Sequence, residues 1–286
     1  EQVVVKPRNS AGSDGVWLCS SEDDVRAAFA SELGKRNLED AINDKLVVMD
    51  ALIGEEWVVN TVSLGGRHKV TDMWHGPPKK QAEVGAGPRS FMYDVQFLAG
   101  TSRESRDVAE FAFAVLDALE FTDGAAHTEL VCCRGRPHLI EMNPRCAGGL
   151  PRVPYPLNQL EVLVMSLADT EGFTALPALP EVVEGSAAAV FLQAPHDGWL
   201  SGSGLDELSA LPTFARFDKA LVDVAGPPFQ AREVERTTTY INSPGCVVLH
   251  GEPVAVAEDV KSVRRIEEHA YVHSRPEQEA AGCSGP

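Results

Sequence analysis

Apolar positions recur along this chain with two periods, and the alternation between them lays out its elements. Val3-Val4-Val5 opens a strand ending in Lys6-Pro7, and the polar run RNSAGSDGV (8–16) separates it from a return strand over 16–19. Ser20 or Ser21 then caps a helix predicted to about residue 35, with Val25, Ala28, Phe29, Glu32 and Leu33 on one partly apolar stripe. Residues 45–53 form the next strand and lead into GEEWVVNTVSL, where Trp57, Val59 and Val62 alternate with Val58, Asn60 and Ser63. The expectation there is a strand with one wetter face, paired through Gly65-Gly66 with a strand over 67–74. Residues 76–100 show neither period and read as a long loop, either part of a substrate wall using Lys79, Lys80 or Arg89, or simply solvated.

The clearest helix covers 101–120: Val108, Phe111, Ala112, Val115, Leu116 and Leu119 follow the i, i+3, i+4 rule while Arg103, Glu104, Arg106 and Asp107 face out. Two short strands, 125–133 and 137–142, turn at Arg134-Gly135-Arg136, and a helix over 157–168 follows. The Pro-rich run TALPALPEVV (174–183) reads as a linker to a last region. That region reads as a strand over 185–194, the loop HDGWLSGSG, a helix at 206–210, strands at 214–217 and 246–250, and a helix over 256–271. The fold class is α+β, and residues 274–286 read as a disordered tail.

Composition narrows the function. The 286 residues are 44% hydrophobic and 23% charged, ordinary for a globular protein of one large domain or two smaller ones. A net charge of −17 argues against nucleic acid or an anionic membrane as partner, because both need a basic field, so any bound phosphate must meet local cations and a metal. No run of 18 apolar residues and no leader pattern occurs, and six cysteines without regular spacing suit reduced thiols in a cytoplasmic setting. The chain starts at Glu1 inside an apolar strand, which leads us to expect a fragment of a longer protein.

The chemistry concentrates at 125–149, AAHTELVCCRGRPHLIEMNPRCAGG. Strand alternation sets Glu129 and Glu141 on neighbouring strands, with Asn143 two residues further on and Arg145 two beyond that. Two carboxylates and an amide oxygen suit Mg²⁺, a hard ion that shares its shell with phosphates, and an arginine beside them suits phosphoryl charge. The alternative is an edge hairpin with solvated acids. Lys6, at a strand end before a Gly/Ser-rich loop, makes a phosphate cradle of charge and backbone donors. Loop 146–156, with Arg152 and Tyr155, follows the hairpin directly and is a candidate substrate contact.

HTE followed by LIEMNPRCAGG resembles the metal hairpin of the ATP-grasp superfamily, and V-x-K-P before a glycine-rich loop resembles its phosphate lid, in the expected order. The resemblance implies two α+β lobes clamping ATP, N-terminally truncated here. Residues 1–53 would be part of the small lobe, 54–173 the large lobe and 174–273 a C-terminal α+β subdomain of the L-amino-acid ligase or carnosine synthase type. Lys6, Ser10, Gly12 and Ser13 would hold ATP phosphates, Met49, Asp50, Ala51 and Leu52 adenine, and Glu56 the ribose, unless Glu55 and Glu56 merely flank a turn. Glu129, Glu141 and Asn143 would hold two Mg²⁺ ions, replaceable by Mn²⁺, and Arg145 with Lys6 would act catalytically on the transferring phosphoryl group. The implied reaction is ATP-dependent coupling of a carboxylate to an amine, forming an amide or peptide bond between amino acids through an acylphosphate with release of ADP and phosphate. A biotin-carboxylase-like enzyme and a non-catalytic ATP-binding module are the alternatives. Partners would be small molecules, with homo-oligomers left open, and these residues alone would catalyse poorly.

Overall fold

The computed structural model describes residues 2–85, 87–148, 157–180, 185–221 and 226–276. In chain order its first half contains β1 (Val3–Pro7), β2 (Trp17–Cys19), α1 (Glu22–Glu32), β3 (Leu46–Asp50), β4 (Glu55–Leu64), β5 (Arg67–Gly76), β6 (Lys80–Glu83), β7 (Arg89–Met92), β8 (Val95–Leu98) and α2 (Arg103–Ala118). There follow β9 (Gly124–Cys133), β10 (Arg136–Asn143), α3 (Gln159–Ala168), α4 (Thr170–Ala175), β11 (Ser186–Phe191), β12 (Gly198–Leu200), α5 (Gly202–Ser209), β13 (Phe214–Asp218), β14 (Arg232–Val234), β15 (Cys246–Gly251), α6 (Pro253–Ala270) and β16 (Tyr271–Val272).

β1 shows how alternation builds the small sheet, which runs β3-β1-β2-β7-β6. Val3 and Val5 pack with Cys19 and Trp17 against Val25, Ala28 and Phe29 of α1, which turns Val4 and Lys6 to the opposite side. Ser21 caps α1 by accepting from Asp24 N at 3.1 Å. The helix stops at Glu32, three residues before residue 35, because Leu33 turns extended (ψ 125°) and Gly34 takes φ +82°. Glu32, on the stripe as expected, is buried and accepts from Trp17 Nε1 at 3.0 Å and Lys35 Nζ at 3.2 Å.

The large sheet has eight antiparallel strands in the order β10-β9-β4-β5-β8-β11-β15-β13. Trp57, Val59, Val70, Met73 and Leu130 bury one face under Val108, Ala109 and Ala112 of α2, the helix the periodicity defines. Each such side chain contributes roughly 1.5–3 kcal/mol by leaving water. Farther along, α5 and α6 cover β11 and β15 through Leu205, Leu208, Val256 and Val263.

Several expectations need correction. Residues 76–100 are not a loop but hold β6, β7 and β8; strands of four residues give two positions per face, too few for a period to show. β4 has no wet face: Asn60 and Ser63 are each 1% exposed, and polar partners rather than water satisfy them. The run after α4 is tied down, with Val70 N donating to Ala178 O at 2.8 Å and Thr101 Oγ1 to Pro180 O at 3.1 Å. Strands beyond it continue the large sheet, β11 pairing with β8. The loop HDGWLSGSG contains β12, which joins β14 and β16 in a small third sheet, and α5 begins at Gly202 rather than 206. Arg152, Tyr155 and the tail from 277 lie outside the described residues.

Candidate active site

The two larger sheets enclose a cleft of about 600 Å³. From the small sheet it is lined by Lys6, Ser10, Gly12, Ser13, Met49, Asp50 and Leu52, and from the large sheet by Glu56, Glu129, Glu141, Asn143 and Arg145. Sequence reasoning named these twelve as nucleotide, metal or catalytic residues; Ala51, named with them, does not line the cleft, its N–H donating instead to Gln2 O at 3.1 Å. Loop 8–16 is pinned by Asp14, whose Oδ2 accepts from Ser10 Oγ at 2.9 Å and Leu38 N at 3.0 Å. Its tip turns at Gly12 (φ +63°), a conformation that disfavours side chains, and lies beside Tyr240 and Ile241. Gly54, where β3 passes into β4, runs so close to β9 that a Cβ would stand 2.2 Å from Cys132 O.

On the hairpin a bulge decides the geometry. From the Arg136–Cys133 pair, a regular register would set Ile140 opposite Glu129 and send Glu141 to the other face. The register instead shifts between Leu139 and Glu141, so Glu141 faces Glu129 directly, with Asn143 opposite His127. Asn143 Nδ2 donates to Glu141 Oε1 at 2.9 Å, which leaves the amide oxygen of Asn143 available. These oxygens fit a hard divalent cation that takes its remaining ligands from phosphate and water. Among the described residues no three His, Cys, Asp or Glu side chains gather as a self-sufficient metal cage.

The cleft floor carries a buried charge cluster. Lys79 Nζ lies 3.4 Å from Glu56 Oε1, 3.7 Å from Glu129 Oε2 and 4.4 Å from the Tyr93 ring centroid. Burial pushes Glu56 up, Lys79 pulls it back and repulsion from Glu129 adds to burial, leaving it at about 7. Burial also pushes Glu129 up, but Lys79, His127 and Arg145 outweigh that and hold it at about 2. Burial lowers the Lys79 ammonium, yet Glu56, Tyr93 and Glu129 together raise it well above the usual lysine range. Glu129 is therefore a carboxylate throughout the physiological range, and Lys79 its resident counter-ion.

Several lining residues escaped sequence reasoning: Tyr93, Gln96, His127, Phe191, Lys219 and Tyr240. Of the three cations the sequence offers for a substrate wall, Lys79 lines the cleft, whereas Lys80 goes to Asp94 at 3.0 Å and Arg89 to Ser20 Oγ at 3.3 Å. A signal existed for His127, which stands inside the HTE motif. Lys219 Nζ donates to the backbone oxygens of Tyr240 and Ser243 and lies 4.0 Å from the Tyr240 ring centroid, and burial lowers it to about 8.

A glycine-turned loop over one sheet faces a carboxylate hairpin on another, the two-walled arrangement of the family that the sequence resembles. The ATP-grasp domain matches residues 1–152, more than half of the chain, and the protein belongs to that family. Dapdiamide A synthase of Enterobacter agglomerans is 26% identical over 280 residues, covering 94% of this chain and 62% of its own length. The chain therefore spans about three-fifths of that relative. An L-amino acid ligase from Bacillus licheniformis superposes with a TM-score of 0.69 at 18% identity, covering 95% of this chain and 64% of its own. Biotin carboxylase from Campylobacter jejuni follows the same fold at TM-score 0.52, 15% identity, and 90% and 56% coverage. No described helix is long and apolar enough to cross a membrane.

Proposed function

We propose that the protein to which this chain belongs is an ATP-dependent carboxylate–amine ligase that joins amino acids through an acylphosphate, releasing ADP and phosphate. The observation that carries this is the meeting, across one cleft, of Lys6 and the pinned loop with Glu129, Glu141, Asn143 and Arg145. The likeness to Dapdiamide A synthase supports the choice of an amide-forming reaction between amino acids over a carboxylation.

In this reading Lys6 and the loop amides hold the α and β phosphates, as a basic strand end and a turn of N–H groups can. Glu129, Glu141 and Asn143 would hold Mg²⁺, or Mn²⁺ in its place, which would supply positive charge against that of the phosphates. Arg145, exposed at the rim with Nη1 donating to Cys146 O at 3.1 Å, offers its remaining donors to the γ-phosphoryl group and the acylphosphate. Lys79, fixed between Glu56 and Glu129, keeps the floor electrically balanced before any ligand arrives. A cleft walled by the loop and the hairpin would keep water from the acylphosphate until the amine attacks.

The test is phosphate release from Mg·ATP across a panel of amino-acid pairs, using a longer protein containing this chain. Release that needs two particular amino acids and disappears in Glu141→Gln is the expected result. Release driven by bicarbonate instead would assign a carboxylase, and ATP binding without release under any pair would assign a nucleotide-binding module.

A further inference from the structure

A row of polar side chains crosses the large sheet beneath the hairpin, on three adjacent strands: Asp72 of β5, Asn60 of β4 and His127 of β9. Asn60 is opposite Asp72 on one side and His127 on the other, and Asn60 and His127 are buried. Asp72 accepts from Asn60 Nδ2 at 2.6 Å, Trp74 Nε1 at 2.8 Å and Thr71 Oγ1 at 3.0 Å. Three donors fix that carboxylate, and the carboxylate in turn dictates the amide: the NH₂ of Asn60 must face Asp72, so its Oδ1 faces His127 Nδ1 at 2.8 Å. Asn60 Oδ1 and Glu129 Oε1 both only accept, so the ring held between them spans the two as a donor on each side, Nδ1–H toward Asn60 at 2.8 Å and Nε2–H toward Glu129 at 3.4 Å. A fold needing only stability gains little from such a row, since apolar residues of similar volume fill a sheet face as well.

We propose that Asp72, Asn60 and His127 are positioning residues: a buried support that sets the side-chain orientation of Glu129 and so which of its oxygens is presented to the cation. This rests on Glu129 being a metal carboxylate, as read above. Supports of this kind orient ligands and tune affinity without touching the metal.

The test is Mn²⁺ affinity of this chain with ADP present, followed by electron paramagnetic resonance, in wild type, Asn60→Leu and Asp72→Asn. Asn60→Leu removes both hydrogen bonds and should weaken Mn²⁺ binding about 10- to 100-fold, while metal-free ADP binding stays within about twofold. Asp72→Asn keeps an acceptor facing Asn60 and should weaken Mn²⁺ less than about threefold. Equal Mn²⁺ affinity in Asn60→Leu and wild type overturns the proposal alone; absence of Mn²⁺ binding by wild type overturns the reading of the hairpin together with it. Should Asn60→Leu not fold, ¹⁵N resonances of His127 in the wild-type chain decide: a hydrogen on each ring nitrogen is expected, and a bare Nδ1 or a bare Nε2 overturns the support.

Discussion

The rim of the cleft and its floor hold charge in different ways. At the rim, Lys6, Glu141 and Arg145 are half-buried or exposed, and among the described residues Glu141 takes its hydrogen bond from a neighbour two residues away, Asn143. On the floor, Lys79 is enclosed with side-chain exposure of 16% and shared between Glu56 and Glu129 at 14% and 22%. The rim charges are left for a ligand to complete, whereas the floor charges already complete one another. Substitution at the rim should therefore affect binding and turnover, and substitution of Lys79 or Glu56 on the floor should affect the fold, Glu129 belonging to both through its place in the hairpin.

The strongest way to break that distinction is Lys79→Met, which leaves two buried carboxylates facing each other. It should lower stability by about 3–5 kcal/mol in urea titrations, and Glu56→Gln added to it should restore part of the loss. A Lys79→Met protein as stable as wild type would mean the floor is solvated. At the rim, Glu141→Gln should reduce ligand-dependent phosphate release in the longer protein at least about 100-fold, or about 2.7 kcal/mol in the barrier. Its melting behaviour should stay within about 0.5 kcal/mol of wild type.

The pH response sharpens the same comparison. Burial raises Glu56 from 4.5 to about 7, so in that interval the folded chain keeps a proton that the unfolded chain has released. The stabilisation from this group is complete below pH 4.5 and is lost as pH climbs to 7. Glu129, held at about 2, works in the opposite sense: its contribution is present above pH 4.5 and fades as pH falls toward 2. Glu56→Gln, which mimics the protonated acid, should gain on wild type by on the order of 2 kcal/mol between pH 5 and 7.5 in metal-free urea titrations. A difference independent of pH would show that Glu56 titrates normally. The smallest effect should come from Gly12→Ala, where φ +63° disfavours a side chain, at about 1 kcal/mol with weaker ATP binding.

What could be read from the sequence was local. Glu141, Asn143 and Arg145 lie within five residues, and Lys6 precedes its loop directly, so spacing alone brought them forward. The helix over Arg103–Ala118 announced itself because four turns repeat one apolar stripe. The floor was not legible, because Glu56 and Glu129 meet as neighbours on β4 and β9 while Lys79 and Tyr93 stand on the crossings between the two larger sheets, and strand order leaves no mark on any one segment. Asn60 carried a faint signal: an amide within VVNTV is costly unless its partners are fixed, and those partners, Asp72 and His127, sit 12 and 67 residues away. The bulge at the hairpin was invisible for another reason. Period-two reading counts residues and cannot see that one of them is left unpaired.

The most direct test of the account is calorimetric titration of this chain with a non-hydrolysable ATP analogue, with and without Mg²⁺, in wild type and in Glu129→Gln/Glu141→Gln. The account expects Mg²⁺ to tighten binding at least about tenfold in wild type, about 1.4 kcal/mol, and to have no effect in the double variant. Binding that is equally tight with and without Mg²⁺, or a metal effect that survives both substitutions, would contradict the assignment of the hairpin as the metal-bearing wall of the cleft.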